Sequence, residues 1–397
     1  MKNKKKICIF VVIFIQLFIL VFCGFSTITA TAQTSKEQDA SDMLDESAKE
    51  LLEGLDLEEL EAYVRSLGIE NDTPLVERLL AYVKGGTISY DTIVSDVLQI
   101  LFSKVRELLP AFACITGITL LSGILSTLQA GNVGKSTGEV VFIVCYVGAL
   151  LPLFIVVAEC FQTSLSCMQS LKTQMQIVYP LLMTLMAVGG GNVTVSVCRP
   201  AVAFFSNSIV SVMCGVVFPL TVLIILFSVS ANVTKELRIN KFSAFFKSVN
   251  KWIIGLCVSV FGIFFTLQGI TAMTYDGIVR RATKYAIGNG VPIIGGFLSG
   301  GFDLAVAGSA LIKNALGNMS IFLMIFVLLE PTVLLVAVNV ALRFTSAVTQ
   351  PFGDSRISDF LGETADNLQY CTASVLFTGF LYFLSVLLLV VGTESLL

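Results

Sequence analysis

The sequence predicts an all-α, polytopic helical membrane protein: a small extracytoplasmic helical N-domain, then two internal repeats containing broken or re-entrant helices. Three observations carry that prediction. The 397 residues are 55% hydrophobic and only 13% charged, about half the charged share of a soluble domain. Apolar runs of about 20 residues, the length that crosses a bilayer, recur from residue 109 onward. Several of these runs are interrupted by glycine and proline, above all between Asn289 and Pro331, and irregular backbone at membrane depth survives only where protein or a cavity covers it.

The first 32 residues read as a secretory signal. Lys2, Lys4, Lys5 and Lys6 form the basic start, residues 7–25 the apolar core, and Ala30-Thr31-Ala32 a cleavage site. Residues 33–108 form the acidic N-domain. Between Gln33 and Val83 stand 14 acidic and 4 basic residues, half of all 28 Asp and Glu in the chain. Leu44, Ala48, Leu51, Leu52 and Leu55 recur at helical spacing, as do Leu57, Leu60, Val64 and Leu67. Thr73-Pro74 opens another helix and Gly85-Gly86 closes it. A further apolar stripe, Ile93 to Leu108, leads toward the membrane.

Residues 109–175 form a two-span segment, with spans at 109–129 and 139–158. The turn between them, Gly131-Asn132-Val133-Gly134-Lys135-Ser136-Thr137, imitates a phosphate loop. Gln129 stands where that pattern needs its first glycine, and the strand–loop–helix context is missing. Residues 176–274 and 288–392 are read as the two repeats. Pro180 and Pro219 stand 39 residues apart, as do Pro292 and Pro331. Each first proline opens a glycine-interrupted run, read as a re-entrant hairpin dipping in from outside. Residues 235–252, carrying Lys241, Lys247, Lys251 and Trp252, read as a basic interfacial helix before a span at 253–274. With the signal directing the N-domain outward, Lys135 and Lys241 fall inside, in keeping with the positive-inside bias. The count is then six spans and two hairpins after the signal, or three spans in each of two inverted repeats if both hairpins cross fully.

No histidine occurs, which removes Ser-His-Asp and Cys-His catalysis and most zinc and haem sites. The ten cysteines include no C-x-x-C pair and sit mostly in apolar runs, as buried apolar side chains do. Neither enzymatic activity, nor a cofactor or metal, nor a nucleic-acid partner is expected. The residues that stand out are the charges of the second repeat: Asp303, Lys313 and Glu330, a candidate intramembrane polar site. They would line an ion or substrate path, or pair internally as Asp303–Lys313 and Glu330–Arg343. Lys241, Lys247 and Lys251 are candidates for cytoplasmic contact with anionic lipid or a partner.

Three stretches carry a family resemblance: the Leu-Glu run Gly54-Leu55-Asp56-Leu57-Glu58-Glu59-Leu60-Glu61, then Val291-Pro292-Ile293-Ile294-Gly295-Gly296-Phe297-Leu298-Ser299, and Leu311-Ile312-Lys313-Asn314-Ala315. With the signal and the chain length, they make the sequence similar to the stage III sporulation protein AE family of endospore-forming Firmicutes. The resemblance implies a membrane subunit of the channel complex between mother cell and forespore. It also implies a place in the mother-cell membrane and, as partners, other stage III A proteins (a cytoplasmic ATPase and ring-forming subunits) and a forespore membrane protein. It brings no catalytic residues. The rival reading is an independent secondary transporter coupled through Asp303 and Glu330.

Overall fold

Seven helices make up the described part of the chain, and their apolar faces dictate how they pack. They are α1 (Glu58–Ser66), α2 (Tyr90–Gln129), α3 (Lys135–Val188), α4 (Asn207–Val233), α5 (Lys241–Phe264), α6 (Gly295–Thr349) and α7 (Ser355–Val391). The structure is a computed structural model. It describes residues 49, 51–52, 54–67, 90–129, 135–190, 195–196, 204, 207–233, 241–264, 266, 295–351 and 355–391. Side chains of 90–101, 126–129, 135–138, 295–305 and 391 are outside that description. So are the signal region, residues 33–48, the 68–89 segment, the turn at 130–134 and residues 267–294, with Pro292 among them.

Six helices are long and apolar enough to cross a membrane: Phe102–Leu125, Glu139–Val188, Asn207–Val233, Lys241–Phe264, Val306–Thr349 and Ser355–Val390. The chain is thus built as a multi-pass helical membrane protein, with no strand among the described residues.

Two of these helices correct the expected hairpins. α3 has 54 residues and α6 has 55, so each is about 80 Å long at 1.5 Å per residue. A bilayer with its headgroups is only roughly 40–45 Å thick. Pro180 does not open a hairpin; it lies inside α3. Gly300, Gly301, Gly308 and Pro331 do not break the chain either, because all four lie inside α6. Glycine weakens an isolated helix by about 1 kcal/mol, but tertiary contact outweighs that here. A Cβ on Gly317 of α6 would run into Val390 of α7, and one on Gly379 of α7 into Leu328 of α6. Small residues let these two backbones approach, and α6 with α7 forms the most extensive helix contact in the fold.

The break does occur where Gly189 and Gly190 stand. Gly190 has φ 87°, the left-handed conformation that caps helices and suits glycine, and its N–H donates to the Ala187 carbonyl at 3.0 Å. The two proposed repeats therefore differ, since the break falls after α3 and has no counterpart within residues 295–331. The basic stretch before Trp252 and the apolar stretch after it also merge, into the single helix α5.

α4 resolves Pro219 differently. A π turn over Met213–Val217 precedes the proline, accommodating the missing donor and the ring clash. The Val217 carbonyl accepts from the Thr221 hydroxyl at 2.7 Å and the Asn250 amide of α5 at 3.4 Å. Asn250 also donates to Thr221 Oγ1 at 2.9 Å, fastening α5 to α4.

α7 is the core helix. In its most apolar window 72% of residues are buried, against 33% for α2 and α3, and only Ser355 and Asp359 are exposed. Its apolar character follows from burial by protein on all sides. α3 shows the opposite pattern. One exposed stripe runs its length, aliphatic through Val140, Val144, Val147, Leu151, Ile155 and Ala158. Beyond Glu159 the same stripe reads Gln162, Ser166, Gln169, Thr173, Gln176, Pro180 and Thr184, before ending on Val188. An aliphatic stripe suits acyl chains. A stripe of amides and hydroxyls suits water, since each unpaired polar group costs several kcal/mol in hydrocarbon.

Candidate functional site

The level at which the α3 stripe changes is marked by a cluster of charges from three helices. Lys104 of α2 stands 3.4 Å from Glu107 of the same helix, 4.0 Å from Glu159 of α3 and 3.4 Å from Glu330 of α6. The lysine side chain is 20% exposed and the carboxylates 60%, 38% and 58%. One cation within reach of three partly exposed carboxylates ties the three helices together.

A second polar group lies nearer the Lys135 end of α3. Arg343 of α6 donates to Asp366 of α7 at 2.8 Å and to the Asn339 side-chain oxygen at 2.8 Å. Asn339 donates in turn to the Ala365 carbonyl at 2.6 Å. Ser228 of α4 donates to Glu363 of α7. Arg356 lies 3.3 Å over the Phe142 ring, a cation–π contact. The third group is buried in the other half. The Gln174 amide of α3 donates to the Ser320 carbonyl of α6 at 2.8 Å, and Tyr179 stacks on Tyr382 of α7 with ring centroids 5.8 Å apart. Both phenols are buried, with Ser385 beside Tyr179 and with Ser320 and Gln174 beside Tyr382.

α1 docks beside this third group. Acidic residues in its first turn, Glu58, Glu59 and Glu61, suit the helix dipole, and Arg65 pairs with Glu61 at 2.7 Å. Leu60, Tyr63 and Val64 are its buried face. The Tyr63 hydroxyl donates to the Ser170 carbonyl of α3 at 3.2 Å. Burial pushes the Tyr63 phenol well above its usual range, so it remains a donor.

The residues singled out in the second repeat are not brought together. All three lie on α6, 10 and 17 positions apart, hence about 15 and 26 Å along one axis. The Asp303 side chain lies outside the described residues. Lys313 is buried at 1% exposure. Glu330 pairs with Lys104, and Arg343 with Asp366, in place of the expected Glu330–Arg343 pair. On α5, Lys241 and Lys251 are exposed and Lys247 is half-buried. Sequence reasoning missed Lys104, which was counted with the N-domain. The signal was present: Lys104 and Glu107 precede one apolar run, and Glu159 follows its antiparallel neighbour.

Six helices long and apolar enough to cross, a protein-covered central helix and charge ties between helices define a multi-pass helical membrane protein. The chain belongs to the stage III sporulation protein AE family, whose model matches residues 76–393. It is similar to the stage III sporulation protein AE of Bacillus subtilis (strain 168), 21% identical over 277 residues that cover 69% of this chain and 68% of that protein. No solved structure matches. The family assigns a sporulation role.

Proposed function

We propose that this chain is an integral membrane subunit of the transenvelope channel between mother cell and forespore. In this reading its lipid-facing half ends at the Lys104 layer, and the other half stands as a stem on the extracytoplasmic side. Family membership supports the sporulation role. The observation that carries the stem is the change of the α3 stripe from aliphatic to polar at Glu159. The seating of α1 against Ser170 supports the extracytoplasmic side, since α1 belongs to the segment that the signal would export. The stem and the acidic face of α1 would meet the ring-forming and forespore partners. Lys241 and Lys251 would meet anionic lipid or the ATPase in the cytoplasm.

The permease reading loses support because Glu330 is paired with Lys104. Glu330→Gln is therefore expected to leave sporulation at the wild-type level in the native host, with the chain still co-purifying with the ATPase and ring subunits. Loss of sporulation at normal protein level would favour coupling through that carboxylate. Failure of those partners to co-purify would remove the channel assignment.

A further inference from the structure

A groove of about 570 Å³ runs between α3 and α4, within the roughly 300–1,000 Å³ range of ligand sites. Its lower walls are apolar, including Phe154, Val157 and Phe161 of α3 with Val222 and Ile225 of α4. Its upper α3 wall turns polar, with Gln162, Ser166 and Gln169. Lys172 follows three positions beyond Gln169, about 4.5 Å farther along the axis. It stands 18 positions from Phe154, five full turns at about 3.6 residues each, and so on the groove-lining face of α3. Side chains on a helix lean toward its N-terminus, which directs the Lys172 ammonium back toward the groove. Among the described residues no carboxylate pairs with Lys172.

We propose that this groove holds one anionic phospholipid, an acyl chain along Phe154–Phe161 and the phosphate beneath Lys172 with the Gln162, Ser166 and Gln169 side chains as further donors. The apolar-to-polar gradient selects an amphiphile, and the single unpaired cation selects a negative headgroup over a zwitterionic one. The head-up orientation rests on the lipid boundary proposed above, but occupancy does not, and the test reads occupancy alone.

The full chain in detergent is incubated with dioleoyl phosphatidylglycerol or dioleoyl phosphatidylcholine and examined by native mass spectrometry. Phosphatidylglycerol should be retained about fivefold better, the scale of one lysine at an anionic lipid surface. Lys172→Gln should level the two lipids. Ala158→Trp, at an exposed position lining the groove, should abolish retention of both while the melting temperature stays unchanged. Equal retention by the wild-type chain, a preference that survives Lys172→Gln, or retention that survives Ala158→Trp would each overturn the proposal. So would a mass showing a second copy of the chain displaced by Ala158→Trp in place of lipid.

Discussion

Gly317→Ala and Gly379→Ala should each destabilise the protein by about 1–3 kcal/mol, the usual cost of overpacking a closed contact. Each glycine faces a side chain of the partner helix, Gly317 against Val390 and Gly379 against Leu328. The added methyl must push apart the largest helix interface in the fold. Val390 is 4% exposed and has no open space to retreat into, whereas Leu328 is half-buried and its methyl end can swing aside, which puts Gly379→Ala at the low end of that range. Gly255 of α5 is the control, because nothing lies within 4 Å of a Cβ built there. Gly255→Ala should be neutral or slightly stabilising through helix propensity. Thermal unfolding of the purified chain in detergent reads all three. Val390→Ala should restore Gly317→Ala; equal melting temperatures for Gly317→Ala and Gly255→Ala would contradict the close approach.

Lys104→Met should cost more than any single carboxylate substitution around it. Removing the lysine leaves Glu107, Glu159 and Glu330 facing one another without a cation. Partial exposure screens that repulsion, so a loss of about 1–2 kcal/mol is expected, less than the roughly 3–5 kcal/mol of a fully buried broken pair. Glu330→Gln leaves Lys104 with two partners and should cost only a few tenths of that loss. Lys104→Arg should retain stability. The same melting experiment checks the order; a larger effect from Glu330→Gln than from Lys104→Met would show that Lys104 is not the hub.

Most helices were legible in the sequence because apolar runs and periodicity are local properties. Their ends and lengths were less so. The glycines near residue 300 read as breaks, since helix propensity counts each of them against the helix. Whether that penalty wins depends on α7, whose backbone reaches Gly317 and Leu328 only in the folded chain. Gly190 was legible as a break because its left-handed conformation is a local demand. Pro219 illustrates the same limit, since the side chain that answers its disrupted turn, Asn250, stands 33 positions from Val217. The polar site divides similarly. Glu330 stood out as a charge in an apolar run, but its partner Lys104 lies far away in sequence, whereas Arg343 looked closer and belongs to Asp366. The apolar end of α7 read as a span, and it lies within one of the six helices long and apolar enough to cross a membrane.

The protein is expected to continue beyond the lipid past the Lys104 layer. This is tested by placing single cysteines at Gln169, Leu151 and Glu59 in a chain whose native cysteines have been replaced, then adding a membrane-impermeant maleimide to the outer face of intact protoplasts. Gln169→Cys and Glu59→Cys should be modified and Leu151→Cys should not. Modification of Glu59→Cys with Gln169→Cys left unreacted would contradict the claim, placing the polar half of α3 inside the membrane or inside the assembly.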